Sequence, residues 1–202
     1  MSTASTATSS FDPAPAGNRW RTVDIVVTAM LGVAFGVVFY GWGLIHSALY
    51  PTFGPAAPAL YLFSGIWLLP AVIAPLIVRK PGAAIFAEVA AASVSAVLGS
   101  FWGLDAVLSG FVQGAGAELV FAFALYRRWT LPIAALAGVG AAVGEALHDL
   151  TVYRELFNTL ELQVATAVAM LLSGLLVAGV GGWLLVRTLR QTGVLETFPS
   201  DR

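Results

Sequence analysis

Acidic side chains inside apolar stretches are the residues of this sequence best suited to chemistry. Glu145, His148 and Asp149 end one apolar run, and at about 100° per residue they share one face of a helix. Two further carboxylates, Glu88 and Glu118, lie within other apolar runs. If those runs span a bilayer, each carboxylate must face other helices or water, because lipid offers it no partner. The pattern therefore indicates a polar pocket walled by helices.

Other chemistries are poorly supported. The pair Glu145-x-x-His148 has the spacing of helical metal sites but occurs once, and two histidines without cysteine make a poor transition-metal site. No serine has a credible base and flanking motif. Lys80, the only lysine, lacks the glycine spacing of a phosphate-binding loop. We therefore predict no enzyme, no cofactor and no nucleic-acid partner. The chain hydrolyses no nucleotide through a phosphate-binding loop, so any transport would draw its energy from partner proteins or an ion gradient.

Composition identifies the elements that must hold these side chains. Of 202 residues, 58% are hydrophobic and 10% are charged, with a mean hydropathy of +0.86. Soluble domains carry about a quarter charged residues, so this is an integral membrane protein. Without cysteine there is no disulfide. Residues 1–18, rich in Ser, Thr, Ala and Pro, are predicted to form a disordered cytoplasmic tail, and 191–202 a short C-terminal tail.

Between these tails, residues 19–190 are predicted to form one substrate-binding domain of six transmembrane helices, which makes the fold an all-α membrane protein. The spans are roughly 23–47, 60–78, 83–98, 105–126, 132–149 and 162–186. The proline-rich stretch 50–58 should break the first helix, and Pro70 and Pro75 should kink the second.

The basic residues of the connections predict the orientation. Eight of them lie on one side and one on the other. The eight are Arg19, Arg21, Arg79, Lys80, Arg127, Arg128, Arg187 and Arg190, and the single one is Arg154. Under the positive-inside rule, both termini are cytoplasmic in a multi-pass protein of the plasma membrane.

The rise of a helix predicts how deep each polar residue lies. Glu88 and Glu118 come out at a similar level, roughly 8 to 12 Å from the cytoplasmic side. Two carboxylates at one depth would repel unless they share a proton or a cation. Gln113 and Glu145 lie nearer the outside. The outer rim is predicted to hold His148, Asp149, Trp42, His46 and Trp102. A polar column thus descends from the external face.

Each of these residues also has a purely structural interpretation. Glu88, Glu118 and Gln113 could tie helices together through hydrogen bonds. Asp149, His148 and His46 could be interfacial side chains. The tryptophans could be membrane anchors. Trp42 and Trp102 are the tryptophans expected to serve the site, because they top the polar column.

The first helix carries small residues on one stripe. Thr28, Ala29, Gly32 and Gly36 would let another helix approach to backbone contact. That helix could belong to a partner protein or to this bundle, and the sequence does not decide between them.

Four segments carry a family resemblance. They are Arg19-Trp-Arg-Thr-Val-Asp-Ile-Val-Val27, Gly65-Ile-Trp-Leu-Leu-Pro70, Ile77-Val-Arg-Lys-Pro-Gly-Ala83 and Leu108-Ser-Gly-Phe-Val-Gln-Gly-Ala-Gly-Ala-Glu-Leu-Val-Phe121. Over roughly residues 19–190 the chain resembles the S components of energy-coupling factor (ECF) transporters, and within them the YkoE family, linked to thiamine or its hydroxymethylpyrimidine precursor. The resemblance implies an S component of an ECF-type ABC importer that captures this vitamin outside for ATP-driven uptake. It also implies a T component and two cytoplasmic ATPases as partners. Docking would use small residues of the first helix, often in an Ala-x3-Ala pattern, which here reads Ala29-x3-Val33.

Thiamine carries a thiazolium charge and an aminopyrimidine edge, so its site needs carboxylate, amide and aromatic groups. The expected substrate-binding residues are Glu88, Gln113, Glu118, Glu145, His148, Trp42, Tyr61 and Trp102. Two rival functions remain open. One is a stand-alone secondary transporter or channel for a metal cation or proton, and the other is a structural subunit that binds no small molecule.

Overall fold

The computed structural model of the chain describes residues 19–193, except for the side chains of residues 50 and 54–57. The predicted tail at 1–18 and most of the one at 191–202 lie outside this part. Residues 19–193 contain helices and no strand. The elements are α1 (Thr22–Phe53), a 3-10 segment (Gly54–Ile66), α2 (Leu69–Val78), α3 (Ala83–Val97), α4 (Asp105–Phe123), α5 (Leu131–Val152), α6 (Leu160–Ser173), a π-helical segment (Gly174–Gly181) and α7 (Gly182–Gln191).

These elements group into six apolar crossings. Five helical stretches are long and apolar enough to span a bilayer: Thr22–Phe53, Pro58–Val78, Asp105–Phe123, Leu131–Val152 and Leu160–Gln191. The sixth, α3, has 15 residues and is shorter. Helix α6, the π-helical segment and α7 thus form one continuous crossing. The all-α membrane fold is confirmed, whereas the orientation of the termini stays a prediction.

The proline predictions hold in part. α1 ends inside the proline-rich stretch, as predicted, but only at Phe53, beyond Pro51, and the 3-10 segment follows without a loop. Pro55 lies in the first turn of that segment, where a missing N–H costs nothing. Pro70 likewise begins α2 rather than kinking a longer helix. The second crossing is therefore a 3-10 segment followed by a short α-helix.

Glycine contacts bring the helices close together. A Cβ added at Gly36 would lie 2.5 Å from the Val94 Cβ of α3, and one at Gly140 of α5 would lie 2.5 Å from the Gly116 oxygen of α4. Such contacts need glycine, because any side chain would push the backbones apart. The chain uses them to pack α1 on α3 and α4 on α5 around the buried helix α2.

The bundle has two chemically different ends. One end, here called the basic end, holds the start of α1, the α2–α3 turn, the α4–α5 connection and the end of α7. Trp20 Nε1 donates to the Pro81 oxygen at 2.9 Å, which joins the start of α1 to the α2–α3 turn. Arg190 donates to the Leu76 oxygen at 2.9 Å, which joins α7 to α2. The opposite end contains aromatic rings, histidines and a cavity.

Candidate functional site

A cavity of about 440 Å³ opens between the helices at the end opposite the basic one. Its walls come from α1, the 3-10 segment, α3, α4, α5 and the turn that follows each of α3 and α5. The polar and aromatic residues that line it are His46, Ser47, Tyr61, Trp67, Glu88, Ser95, Ser100, Phe101, Trp102, Asp105, Ser109, Gln113, Glu145, His148, Asp149 and Tyr153, together with Phe39. The cavity thus combines carboxylates with a largely aromatic wall.

Two buried carboxylates contribute to the lining. Glu88 is fully buried; its Oε2 accepts a hydrogen bond from the Ala71 N–H at 3.0 Å, whereas its Oε1 is buried with no partner. Glu145 is 2% exposed, and its Oε2 accepts from the Ser64 hydroxyl at 2.9 Å. A buried carboxylate oxygen without a donor is costly, so Glu88 is suited to receive a donor from a bound molecule.

Close helix packing holds these carboxylates in place. A Cβ at Gly114 of α4 would lie 3.2 Å from the Glu88 Cβ. One at Gly110 would lie 3.2 Å from the backbone carbonyl oxygen of Glu88. On α5, a Cβ at Gly144 would lie 2.5 Å from the Val112 oxygen. The glycines therefore place α4 directly against the segments that carry Glu88 and Glu145.

Four aromatic rings form a contiguous wall. His46 lies with ring centroids 5.2 Å from Trp67, 5.7 Å from Trp102 and 5.8 Å from Tyr61. Trp67 and Trp102 meet edge to face at 5.3 Å. Such tilted and edge contacts fix the ring planes, and all four rings belong to residues that line the cavity.

An acidic cluster around His148 lies at α5 and the start of α4. The His148 Nδ1 lies 2.9 Å from the Asp149 Oδ1, and its Nε2 lies 3.2 Å from the Asp105 Oδ1. The Tyr153 hydroxyl donates to the Asp105 Oδ2. Burial and this bond to Asp105 raise the pKa of Tyr153 above its ordinary value, so the hydroxyl stays protonated and keeps donating. The cluster ties the end of α5 to the start of α4.

Six of the eight predicted substrate-binding residues line the cavity. They are Glu88, Gln113, Glu145, His148, Tyr61 and Trp102. The amide of Gln113 donates to the Ser109 hydroxyl at 2.8 Å. Glu118 and Trp42 are not in the lining.

Glu118 lies at the basic end instead. Its carboxylate accepts from the Gly82 N–H at 2.6 Å, from the Ala84 N–H at 3.0 Å and from the Tyr126 hydroxyl at 2.8 Å. The Glu118 carboxylate is therefore bound by groups of the basic end, and it does not line the cavity that contains Glu88. The reason is that Glu118 satisfies free N–H groups at the start of α3, where a negative charge is favoured.

Trp42 stands behind the aromatic wall rather than in it. Its ring packs 6.3 Å from Trp67 and 6.2 Å from Phe63, and its buried Nε1 has no hydrogen-bond partner. It supports the position of Trp67, which the sequence treated only as a membrane anchor.

The structure also adds residues that were not among the expected substrate-binding residues. Besides Trp67, they are Asp105, Ser109 and Tyr153, together with His46 and Asp149, which the sequence placed only at the outer rim of the polar column. Asp105 begins both the fourth predicted span and α4. A useful signal is the spacing of Tyr61, Ser64 and Trp67, because residues three apart eclipse one another on a 3-10 helix, whereas on an α-helix each such step turns the side chain by about 60°.

The predicted docking stripe is mostly internal. Thr28 is fully buried, and Gly32 and Gly36 pack on α3, where an added Cβ would meet Ala90 and Val94 at 2.5 Å. These three residues are therefore unavailable to a partner, because their small size serves the contact between α1 and α3. Ala29 is partly exposed.

Comparisons with known proteins agree with this architecture. The family model described as "ABC-type cobalt transport system, permease component" matches residues 23–144. A curated relative, "Putative HMP/thiamine permease protein YkoE" of Bacillus subtilis (strain 168), is 36% identical over 178 residues, covering 88% of each chain. A solved structure described as "Crystal structure of an S-component of ECF transporter" superposes with a TM-score of 0.84 at 34% identity, covering 90% of this chain and 91% of the other.

Proposed function

The chain belongs to the YkoE family of ECF transporter S components, and from this premise we propose that it captures thiamine or hydroxymethylpyrimidine for import. Membership makes it a multi-pass transport protein of the plasma membrane rather than an enzyme. In the proposed role the chain binds the vitamin from outside. A T component and two ATPases complete the importer and supply the energy.

The observation that carries the proposal is the unpartnered Oε1 of Glu88 in an aromatic cavity. Glu88 Oε2 already accepts from the Ala71 N–H, so the second oxygen remains to accept a hydrogen bond from a ligand. Thiamine and hydroxymethylpyrimidine share an aminopyrimidine whose amine donates hydrogen bonds. A charge-assisted bond from that amine would stabilise both the ligand and the buried carboxylate.

The aromatic and acidic residues of the cavity suit the ring systems of the vitamin. Trp67, Trp102 and Tyr61 offer aromatic faces to the flat pyrimidine, and a cationic thiazolium gains further from such faces. Asp105 and Asp149 add acidic groups to the same lining. A volume of about 440 Å³ falls in the usual range of roughly 300 to 1,000 Å³ for small-molecule pockets. Both ligands therefore suit the site, with thiamine making fuller use of the acidic and aromatic groups.

The orientation follows from charge. Because basic residues concentrate at one end of the bundle, the positive-inside rule assigns that end and both termini to the cytoplasm. The cavity then opens toward the outside, as vitamin capture requires.

Docking of the T component is proposed through the exposed face of α1. Met30, Val33 and Val37 are 66%, 54% and 56% exposed, and Ala29 adjoins them at four-residue spacing from Val33. This face has no packing partner among residues 19–193 and is continuous over several turns. This exposed face, rather than the buried residues Thr28, Gly32 and Gly36, would then contact the T component.

Reconstitution separates this function from its rival. We expect vesicles that contain the chain together with its T component and ATPases to accumulate radiolabelled thiamine or hydroxymethylpyrimidine when ATP is supplied. Vesicles with the chain alone should bind the vitamin without accumulating it. Uptake of Co²⁺ or protons by the chain alone, driven by a gradient, would instead support the secondary transporter. Among residues 19–193, no group of three or more His, Asp or Glu side chains is arranged to hold a metal ion.

A further inference from the structure

A second cavity lies on the membrane-facing side of the bundle, away from the vitamin site. It has a volume of about 620 Å³ and lies between α4 and α5. Val120 and Ala124 line one side, Ile133 and Leu136 line the other, and Gly140 and Arg128 lie at its two ends. We call it the α4–α5 groove. None of these residues belongs to the aromatic cavity.

Helix packing explains why the groove exists. α4 and α5 touch through Gly116 and Gly140, where a Cβ on Gly140 would also lie 2.9 Å from the Val120 Cγ2. Toward the basic end the chain leaves α4 through two residues in the left-handed conformation, Leu125 at φ 55° and Tyr126 at φ 53°. The Tyr126 hydroxyl bonds to Glu118, which anchors this turn to the bundle. The anchored turn places Leu125 and Arg128 at the end of the groove.

The groove has an apolar body and a cationic end. Among its lining residues Arg128 is the single charged one, and it is exposed beside the exposed Arg127. Phe123 and Leu125, also in the lining, are 85% and 68% exposed. Both flanking helices are long and apolar enough to span a bilayer, so these exposed apolar side chains face lipid.

We propose that the α4–α5 groove is a binding site for an anionic glycerophospholipid. An acyl chain occupies the apolar body between Val120 and Leu136, and the headgroup phosphate meets the guanidinium of Arg128. Arginine suits phosphate because its planar fork donates two parallel hydrogen bonds. Basic pockets between transmembrane helices at the cytoplasmic surface select anionic headgroups, so a zwitterionic lipid should bind less well.

The experiment uses the full chain in nanodiscs and a phosphatidylglycerol with a photoactivatable group in its acyl chain. After irradiation, peptide mass spectrometry maps the labelled residues. We expect labelling to concentrate within residues 120–140 and to be competed by unlabelled phosphatidylglycerol more strongly than by phosphatidylcholine. Arg128→Gln should weaken the competition by phosphatidylglycerol about five-fold, the contribution of one basic side chain at an anionic surface.

Two variants distinguish a specific lipid site in the α4–α5 groove from non-specific attraction of anionic lipid to the basic end. Arg187→Gln removes the same charge at the same end of the bundle but on α7, so labelling of 120–140 should persist. Ala124→Phe fills the groove without touching the charge and should also reduce labelling, with the thermal midpoint recorded to show that the variant is folded. Equal competition by the two lipids, or equal losses in Arg128→Gln and Arg187→Gln, would overturn the proposal.

Discussion

Replacing Glu88 by glutamine removes the charge from the proposed ligand contact while nearly preserving side-chain size. The amide oxygen of glutamine can still accept from the Ala71 N–H, which the carboxylate accepts at 3.0 Å. The amide NH₂ then takes the place of the unpartnered Oε1 and presents a donor where the ligand amine requires an acceptor. The variant should therefore fold and bind poorly.

The expected loss of vitamin affinity follows from the hydrogen bond between the ligand amine and the Glu88 carboxylate. A hydrogen bond to a charged group is worth about 1.5 to 3 kcal/mol, which corresponds to about a 10-fold to 150-fold loss of affinity. Unfolding free energy should change by less than about 1 kcal/mol, because the bond to the Ala71 N–H remains. Quenching of tryptophan fluorescence by thiamine measures the affinity, since two tryptophans line the cavity.

Glu118→Gln is the matched control. Glu118 lies outside the cavity. It accepts three hydrogen bonds, two from N–H groups at the start of α3 and one from the Tyr126 hydroxyl. Its replacement should lower the thermal midpoint in detergent and leave the vitamin affinity unchanged. If Glu88→Gln binds within two-fold of the unmodified chain, or if only Glu118→Gln loses affinity, the assignment of the site to this cavity is refuted.

Three further predictions concern packing, the basic end and the aromatic wall. Gly36→Val should lower the thermal midpoint strongly, because its Cβ would lie 2.5 Å from that of Val94, whereas Gly41→Ala, with nothing within 4 Å, should not. Tyr126→Phe should cost about 1 kcal/mol of unfolding free energy. Burial and a hydrogen bond raise the pKa of Tyr126, so its contribution is present below about pH 10 and is lost at higher pH, and the variant should lose this part of the alkaline dependence in a pH series of denaturation. Trp102→Ala should weaken thiamine binding about ten-fold in the fluorescence assay if the ring stacks on the pyrimidine.

Hydropathy and charge predicted the crossings well, because the requirement to satisfy backbone groups in lipid acts on every residue of a span. The sequence likewise predicted that Glu88 and Glu145 face a polar interior. Glu118 shows the limit of that argument. A carboxylate that faces the interior can accept hydrogen bonds either from a ligand or from free N–H groups at the start of a helix. For Glu118 the outcome depends on where the α2–α3 turn ends and α3 begins.

The 3-10 segment shows a second limit. Its period of three stacks Tyr61, Ser64 and Trp67 along one side, whereas an α-helix would turn Trp67 about 120° away from Tyr61. Trp67 was interpreted as a membrane anchor because only Trp42 and Trp102 were predicted to top the polar column, and its packing against Trp42 was not predicted. The stripe on α1 was ambiguous for a different reason, since small residues permit close approach by any helix.

Calorimetric titration of the purified chain with thiamine and with hydroxymethylpyrimidine tests the central claim most directly. We expect saturable binding of at least one of them at one molecule per chain, reduced about 10-fold or more in Glu88→Gln. Absence of heat with both vitamins, or binding that Glu88→Gln leaves intact, would contradict the account.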